Sequence, residues 1–373
     1  MEAIHQRAYE SGRPHAGIRN VPQKHFVRVL EEIGLATWRG AGRTATISEI
    51  QNQCELAGLS RVLETFREGA AAGVAQLLTA FYFRQEGHGR TGEPSFEFTH
   101  KSFGEYLTAR RFVRALERIQ SERDRREESS DAGWNDTDCL KYWADLFRGA
   151  PRLTGDVYRF LFNDLRLRKR EEADKWQNTL CSLIGTVLHC GMPIDQIAPK
   201  LNYQDESNTA ITAEEALLVM LYVCSARSGK LSKIDWPNST AAGAWINRLQ
   251  GQRSGPENVL AMECLGFLSV RNSALAMKDL YQSNLIKSDL TTCQLHYANL
   301  GLANLRSAIL RGSNLIGATC FSINLQDADL SESDLHESNL RKTKLQNANL
   351  QNAILWGANP CWSRSPECES AGN

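Results

Sequence analysis

A leucine recurs every five residues along the C-terminal part of this 373-residue chain. The series runs from Leu280 to Leu355 over sixteen consecutive sites, fifteen of them leucine and one Cys320. Two residues before each site the side chain is Ala, Ser, Thr or Cys, with Lys278 and Ile323 as the exceptions. A period of five matches neither a helix nor a strand. On a helix, successive leucines would advance by about 500° and spiral around the surface.

The same period suits a coil with four sides. If each five-residue unit forms one side, the leucine and the small residue both point inward, and four units complete a turn. Sixteen units then give four turns, and a stacking distance of ~4.8 Å makes the coil roughly 20 Å long. Small residues are needed because two side chains per side share a narrow interior at crystal-like density. The residue before each leucine is mostly Asn or Asp, and we expect these residues at the corners, where they tolerate turn geometry.

This pattern over residues 278–357 resembles the pentapeptide-repeat family, whose motif is a small residue, Asn or Asp, Leu or Phe, and two variable positions. The resemblance implies a right-handed quadrilateral β-helix. Some members imitate DNA and bind DNA gyrase, and those members are acidic rods that dimerise. Residues 278–357 carry seven Lys or Arg and seven Asp or Glu. This neutral balance disfavours DNA mimicry.

One side of the predicted coil collects apolar and aromatic residues. The outward position after each leucine, taken at a spacing of twenty, aligns four residues with Tyr297 beside them: His296, Ile316, His336 and Trp356. Such a ladder on a polar rod indicates a contact face for a protein partner or ligand. The alternative is that the helical part of the same chain covers it. His296 and His336 would be two turns apart, roughly 10 Å, too far to share a metal ion.

The N-terminal third predicts helices followed by a small sheet. Residues 22–40 place apolar side chains at helical spacing. After a Gly-rich break at 40–44, Ser48 is expected to cap a second helix. Strand-like segments at 77–83 and 95–99 flank a loop, and a long amphipathic helix follows. Helices succeeded by a strand, a loop and a strand are typical of a winged-helix domain.

The segment FEFTHKSFGEYLTARR at 96–111 is similar to the winged-helix signature of NACHT-type STAND NTPases, signal-transducing ATPases that include NOD-like immune receptors. Their pattern is an aromatic strand, then His, Lys, Ser, Phe, a variable residue, Glu, and Tyr or Phe. In that family the histidine contacts the β-phosphate of bound ADP, and the matching residue here is His100. An imidazole suits this contact because it donates a charge-assisted hydrogen bond to phosphate. The alternative is that His100 only fills the strand–helix junction.

The chain lacks the phosphate-binding loop GxxxxGK[ST] that a STAND NTPase needs. In GAGRT (40–44) an arginine replaces the lysine, and in SGKLSK (228–233) no Ser or Thr follows the lysine. No run of aliphatic residues ends in a double acid, as a Walker-B strand would. The chain therefore resembles the C-terminal part of such a receptor, and the resemblance implies a separate nucleotide-binding domain as a partner.

The remaining segments complete an α+β multidomain organisation, largely helical before the β-helix. Interleaved charges at the start of the middle region predict a helix end that passes into a linker. Further helices are predicted at 175–190, 213–226, 240–250 and 256–269. The last of them leads into the first repeat and predicts a cap that protects the coil from edge pairing. The predicted order is a winged-helix-like domain (1–118), a charged linker (119–133), a helical domain with the β-helix cap (134–277), the pentapeptide β-helix (278–357), and a C-terminal cap or tail (358–373).

Composition and motifs favour a non-enzymatic protein. Lys plus Arg and Asp plus Glu each total 43, which argues against a polybasic nucleic-acid coat and against nucleic acid as a partner. No HExxH, GxSxG or Cys–His arrangement predicts a catalytic or metal site, and no cofactor is expected. Ten scattered cysteines without a CxxC pair indicate reduced thiols. No apolar run approaches the ~18 residues of a membrane span and the N-terminus lacks a signal-peptide pattern, so we expect a cytoplasmic protein.

We therefore expect a sensor or protein-interaction module that resembles the C-terminal half of a bacterial NACHT-type STAND receptor, with a role in signal transduction and antiphage defence. The β-helix would recognise a ligand, and the winged helix would relay the event to the nucleotide-binding domain. The alternative is a stand-alone pentapeptide-repeat scaffold or topoisomerase (gyrase) inhibitor.

Overall fold

The structure is a computed structural model that describes residues 23–40, 43–61, 83–88, 94–129, 131–197, 200–251 and 259–359. Two compact units divide these residues. The first unit lies within Met1–Glu122, Trp143–Asp164 and Leu201–Thr209, and the second within Arg123–Tyr142, Leu165–Lys200 and Ala210–Asn373. Residues 77–82 of the strand predicted over 77–83, and residues 360–373 of the tail predicted over 358–373, lie outside the described residues.

The first unit begins with helix α1 (Gln23–Arg39), in agreement with the helix predicted over 22–40. Its buried residues repeat at helical spacing: Phe26, Val29, Leu30 and Ile33. These side chains share one core with Ile50 and Cys54 of helix α2 (Ile47–Leu56). The amphipathic pattern of the sequence is thus sufficient to explain which face of α1 is buried.

Helix α2 is capped by Thr46, and the prediction that Ser48 caps it was wrong. The Glu49 N–H donates to Thr46 Oγ1 (3.2 Å), and the Thr46 N–H donates to Glu49 Oε2 (2.8 Å), which together form a capping box. Thr46 ends strand β1 (Ala45–Thr46), where pairing with Ser95 accompanies an extended backbone (φ −81°, ψ 164°). An N-cap residue needs this extended conformation, whereas Ser48 already lies inside the first helical turn.

A three-stranded antiparallel sheet has the order β1–β3–β2, where β2 is Phe83–His88 and β3 is Pro94–Phe98. Strand β3 pairs with both neighbours, Phe96 with Ala45 and Phe98 with Phe83. Strand β2 continues to His88, into residues that were predicted as loop. Helix α3 (Lys101–Glu128) follows, so the charged stretch is helical as far as Glu128. This order of elements is compatible with a winged helix, which stays a prediction.

Buried charges link α1 to α3. The carboxylate of Glu31, which is fully buried, accepts from Arg110 Nε at 3.0 Å and from Arg114 Nε at 2.5 Å. The next residue, Glu32, pairs with Arg111 Nε at 2.6 Å. A buried carboxylate without partners would be strongly destabilising. Because Glu31 and Glu32 have arginine partners on α3, these ion pairs restrict how α1 and α3 can align.

The helical elements after α3 are α4 (Asp136–Asp145), α5 (Gly155–Arg166), α6 (Arg170–Cys190), α7 (Tyr203–Ser228), α8 (Ala241–Gln250) and α9 (Leu260–Glu263). Helices α6, α7 and α8 confirm the predicted helices at 175–190, 213–226 and 240–250. Helix α7 has the length and hydropathy of a membrane span, but 83% of its apolar window is buried inside the fold, as is usual for a core helix.

The prediction of a helix over 256–269 was wrong for residues 264–269. Helix α9 ends at Glu263, and strand β5 (Leu268–Ser269) follows. Phe267 has a φ of +61°, which no α-helix accommodates. A Cβ on Gly266 would lie 2.8 Å from Cγ2 of Ile286. The backbone at Gly266 therefore packs closely against Ile286 of the C-terminal region.

The C-terminal region is a parallel coil with twenty residues per turn. In each five-residue unit one residue pairs with the residue twenty positions later, from Ser269 with Asp289 to Asp334 with Ile354. The leucines of the middle turns are buried, and Leu300 is 0% exposed. Val270 and Leu275 occupy earlier inward positions and are also buried. The coil therefore begins before the predicted first residue, 278, and the four-sided β-helix is present.

The corners differ from the prediction in where the Asn and Asp residues lie. The N–H of the third residue after a leucine donates to the leucine carbonyl, as from Ser283 to Leu280 (3.1 Å). Of the two residues between them, the second, Gln282, has a φ of +56°. Most Asn and Asp residues precede the leucine on the flat side, and their side-chain oxygen accepts from the first corner N–H, as Asn304 does from Arg306 (3.3 Å). These Asn and Asp side chains therefore stabilise the corner although they are not part of it.

The helical part of the second unit caps the N-terminal end of the coil. Strand β4 (Ser232–Lys233) adds a parallel strand to β5, although the sequence around it was interpreted as a break between helices. The N–H of Ala274 donates to Ser239 O (2.7 Å), and the N–H of Asn284 donates to Met262 O (2.8 Å). These bonds satisfy edge groups that would otherwise pair with another chain.

Candidate interaction face

The residues predicted as a contact face lie at one corner of the coil, in the turn positions that follow each leucine, and face the same side of the molecule. We call this set, with Met277, the aromatic wall: Met277, His296, Tyr297, Ile316, His336 and Trp356. Backbone bonds between turns align it, because the Tyr297 N–H donates to Ile316 O (2.9 Å) and the Glu337 N–H donates to Trp356 O (3.1 Å). The spacing of twenty in the sequence thus predicted a spatial column of His296, Ile316, His336 and Trp356, and these four residues are stacked in one column, with Met277 and Tyr297 in the adjacent one.

Ring contacts organise the aromatic wall. His336 stacks on Trp356 with ring centroids 4.6 Å apart and an interplanar angle of 17°. His296 meets Tyr297 edge to face at 6.0 Å. The Tyr297 ring extends over Gly317, where a Cβ would lie 2.4 Å from the ring. Gly317 therefore makes room for Tyr297, a role that sequence reasoning missed although the two positions are twenty residues apart.

Much of the aromatic wall is exposed to solvent in the described part of the chain. Met277 is 73% exposed, Tyr297 59% and Trp356 72%, while His296, Ile316 and His336 are half-buried. The described helices of the second unit therefore leave these three side chains accessible. Exposed aromatic side chains in a row are typical of protein contact surfaces.

The aromatic wall continues around one corner of the coil. Tyr281 and Phe321 lie on the next side, with Leu302 40% exposed beside them. The Lys342 ammonium lies 5.4 Å from the centroid of the Phe321 ring, a cation–π contact. Two neighbouring sides of the coil are therefore rich in aromatic residues.

The other two sides of the coil are polar and carry matched charges. Arg306 Nε lies 3.2 Å from Asp327, and an Arg311 nitrogen lies 2.8 Å from Asp329. Burial alone would raise the pKa of Asp329, but hydrogen bonds from Ser331 and Arg311 lower it below its usual value. These carboxylates are thus neutralised by their own neighbours, which differs from the uncompensated negative surface that DNA mimicry would need.

The titratable groups of the coil form no metal or nucleophilic site. His296 Nδ1 is buried and has no hydrogen-bond partner among the described residues, and His336 Nε2 lies 3.6 Å from Glu337. Burial raises the pKa of the Cys293 and Cys320 thiols to about 12, so both are protonated core groups. Within the described residues, no three His, Cys, Asp or Glu side chains are placed to hold one metal ion.

His100 is exposed at the junction between β3 and α3. Its backbone carbonyl accepts from the Phe103 N–H (2.9 Å) and so helps to start the helix. Its role toward a nucleotide stays a prediction that rests on the resemblance of 96–111.

Comparison with known proteins identifies the repeat. The model of the Pentapeptide repeats family matches residues 279–312 and 320–357 in eight copies. Together with the coil described above, this match shows that the C-terminal region of the chain belongs to the pentapeptide-repeat family. None of the curated proteins compared matches the chain.

Solved structures with similar repeats cover only part of the chain. The pentapeptide repeat protein Rfr23 from the cyanobacterium Cyanothece 51142 is 30% identical over 26% of this chain and 60% of its own, with a TM-score of 0.21. A pentapeptide repeat protein from Nostoc PCC 7120 is 32% identical over 24% of this chain and 84% of its own, with a TM-score of 0.20. QnrB1, a plasmid-mediated fluoroquinolone resistance protein, is 16% identical over 24% of this chain and 60% of its own, with a TM-score of 0.13. The chain thus spans about three fifths of the length of the first of these proteins.

Proposed function

We propose that the chain is a non-enzymatic, cytoplasmic protein-interaction module whose aromatic wall binds a protein partner. The observation that carries this proposal is the exposure of Met277, Tyr297 and Trp356 on one side of a coil whose opposite side is polar. An exposed apolar ladder is costly in water and is best explained by a partner that covers it.

The size of the surface supports a protein as the partner. A side of five residues measures roughly 16 Å, and four turns stack to about 20 Å, so two aromatic sides offer on the order of 600 Å². A standard protein–protein interface buries about 800 Å² per partner. The partner is expected to present apolar groups to Tyr297 and Trp356. The wall itself has no carboxylate, and Glu337 is the one carboxylate among the residues stacked at a spacing of twenty with its members.

The wider role that we propose is that of the sensing half of a NACHT-type STAND receptor, which acts together with a nucleotide-binding domain. The resemblance of 96–111 and the order α1–β1–α2–β2–β3–α3 support this proposal. In it, binding at the aromatic wall is relayed through the winged helix. Isothermal titration of the full chain with ADP and ATP is expected to show no binding, and micromolar affinity would overturn the non-NTPase proposal.

Paired variants test the aromatic wall. Full-length chain with Tyr297→Ser and Trp356→Ser is compared with a matched control on the opposite side, Gln326→Ser with Gln346→Ser, whose parent side chains hydrogen-bond to each other at 3.1 Å. Each is used as tagged bait in its own host cells, and captured proteins are quantified. We expect a partner that the parent and the control retain and the wall variant loses. Equal capture by all three baits would contradict the proposal.

The alternative, a gyrase inhibitor, has a direct test in a DNA supercoiling assay. The matched Arg–Asp pairs on the polar sides favour no inhibition. Inhibition by the parent chain that persists in the wall variant would support the alternative instead.

A further inference from the structure

Consecutive turns of the coil are joined by a repeated pair of backbone hydrogen bonds. The Leu330 N–H donates to Asn349 O (2.8 Å), and the Asn349 N–H donates to Ala328 O (2.9 Å). A single residue of the later turn therefore satisfies a carbonyl and an N–H that lie two residues apart in the earlier turn. This is the hydrogen-bond pattern of a parallel bridge.

The last turn, residues 340–359, presents the same pairs of groups without backbone partners among the described residues. On one side they are Thr343 O and the Leu345 N–H, and on the next side Ala348 O and the Leu350 N–H. Unpaired groups along a strand edge are a template for an added strand. The described part of the coil thus ends in an edge that can accept one.

The leucine core is also less covered at this end. Leu335 in the preceding turn is 1% exposed, whereas Leu355 is 38% exposed, and Leu345 and Leu350 are half-buried. Apolar side chains that reach solvent gain free energy when they are covered. A strand added to the edge would bring alternate side chains over these leucines.

The last turn is basic. Residues 340–359 carry three basic side chains and no Asp or Glu, whereas residues 320–339 carry five Asp or Glu and no Lys or Arg. We call the three basic side chains the basic corner: Arg341, Lys342 and Lys344. Neither Arg341 nor Lys344 has an ion-pair partner in the part of the chain that the structure describes.

The neighbouring turn does not compensate the basic corner. The residues twenty positions earlier are uncharged: Phe321, Ser322 and Asn324. Thr343 and Leu345, whose backbone groups are unpaired, lie in the same five-residue unit as Lys344. Positive charge and a free strand edge therefore occur together on one side of the coil.

Charge complementarity selects the occupant. A second copy of this chain would bring three more positive charges against the basic corner, and like charges at short distance repel. An acidic segment would instead bring carboxylates to Arg341, Lys342 and Lys344. A side of the coil is roughly 16 Å long, which matches about five residues of extended chain.

We propose that the C-terminal end of the coil is a second binding surface, which takes an acidic, extended segment of a partner protein by strand addition. The backbone of that segment pairs with Thr343 O and the Leu345 N–H, and its carboxylates pair with the basic corner. This surface does not depend on the proposed function of the aromatic wall. Tyr297→Ser, which alters the wall, should leave binding at this end unchanged.

The test measures fluorescence anisotropy of labelled peptides with the full chain. The probe is a short peptide of alternating glutamate and threonine. It is compared with an N-methylated form, which keeps the charge but loses the backbone donors, and with a peptide of alternating lysine and threonine. We expect the acidic peptide to bind below millimolar concentration and more weakly as salt is added, and we expect neither comparison peptide to match it.

Lys342→Gln has a matched control in Lys287→Gln. Both lysines are exposed corner residues with positive φ, +58° and +55°. Their ammonium groups lie over phenylalanine rings, 5.4 Å from the centroid for Lys342 and 5.6 Å for Lys287. Lys342→Gln should weaken binding of the acidic peptide by about twofold to fivefold, whereas Lys287→Gln should not.

Replacing all three residues of the basic corner by glutamine should weaken binding about tenfold or more, and circular dichroism checks that each variant folds. No binding of the acidic peptide overturns the proposal, and so does equal binding of the N-methylated form. Equal binding of a thymidine oligonucleotide would indicate a nucleic-acid site instead. Tighter binding by Glu367→Gln with Glu369→Gln would assign this end to the chain's own residues 360–373 and would also overturn the proposal.

Discussion

Gly317 and Gly312 occupy equivalent corner positions of the coil, but their surroundings differ. Both have a φ of +62°. A Cβ at Gly317 would lie 2.4 Å from Cε1 of Tyr297, whereas at Gly312 the nearest atom is Cγ2 of Thr292 at 3.5 Å. Replacing each glycine by alanine therefore separates two effects. The left-handed backbone penalty is common to both, and the displacement of Tyr297 occurs only in Gly317→Ala.

The common penalty is about 1–2 kcal/mol, the cost of an L-residue in the left-handed region. A 2.4 Å contact cannot persist, and because Tyr297 is 59% exposed its ring can turn away into solvent. The ring then loses its edge-to-face contact with His296, a type of contact worth about 0.5–1.5 kcal/mol. We expect Gly312→Ala to lower the free energy of unfolding by about 1–2 kcal/mol and Gly317→Ala by about 1.5–3.5 kcal/mol.

Urea unfolding followed by circular dichroism measures both variants, alone and combined with Tyr297→Ala. Without the Tyr297 ring the two glycine substitutions should cost the same, since only the backbone penalty remains. Gly317→Ala should also weaken capture of the partner by the aromatic wall, while Gly312→Ala should not. Equal destabilisation by the two substitutions in the parent chain, within ~0.5 kcal/mol, would refute the role assigned to Gly317.

Three further predictions test the core, a cap and a buried acid. Leu300→Ala, at a site that is 0% exposed, should lower the free energy of unfolding by about 2–5 kcal/mol. Leu355→Ala, at a site that is 38% exposed, should lower it by about 1 kcal/mol. Similar losses for the two variants in urea unfolding would contradict this prediction. Thr46→Ala should cost about 1 kcal/mol and Ser48→Ala less than about 0.5 kcal/mol, and the reverse order of urea midpoints would reinstate Ser48 as the cap. Burial raises the pKa of Glu214 above the ordinary value of a glutamate, so the stability contributed by its protonated form is complete below that ordinary value and is lost as pH rises through the folded pKa. Glu214→Gln should remove that loss, and an unchanged profile of stability against pH would argue against it.

The interior of the coil was predictable because every five-residue unit has the same local requirements. A leucine and a small residue face inward in each unit, and this arrangement repeats without reference to any other part of the chain. The start of the coil was not predictable in the same way. Val270 is not a leucine and Lys278 interrupts the small-residue series, so the earlier units became visible only through the pairing of Ser269 with Asp289.

The cap of α2 shows how tertiary structure selects between local alternatives. Thr46 and Ser48 both have side chains suited to an N-cap. Pairing of β1 with β3 accompanies the extended backbone at Thr46, and this pairing joins residues fifty positions apart. No local pattern in the sequence contains that contact. The prediction failed there because the deciding interaction is not local.

The alignment of the aromatic wall followed from the sequence alone, since a constant period of twenty places equivalent residues in one column. Its exposure, the stacking of Trp356 on His336 and the space above Gly317 depend on the packing of neighbouring turns. The pairing of Glu31 with Arg110 and Arg114 was even less accessible to sequence reasoning, because it joins α1 to α3 and no motif connects these two helices. Periodic order is encoded locally and can be read from the chain, whereas a site built from distant segments exists only after those segments have packed together.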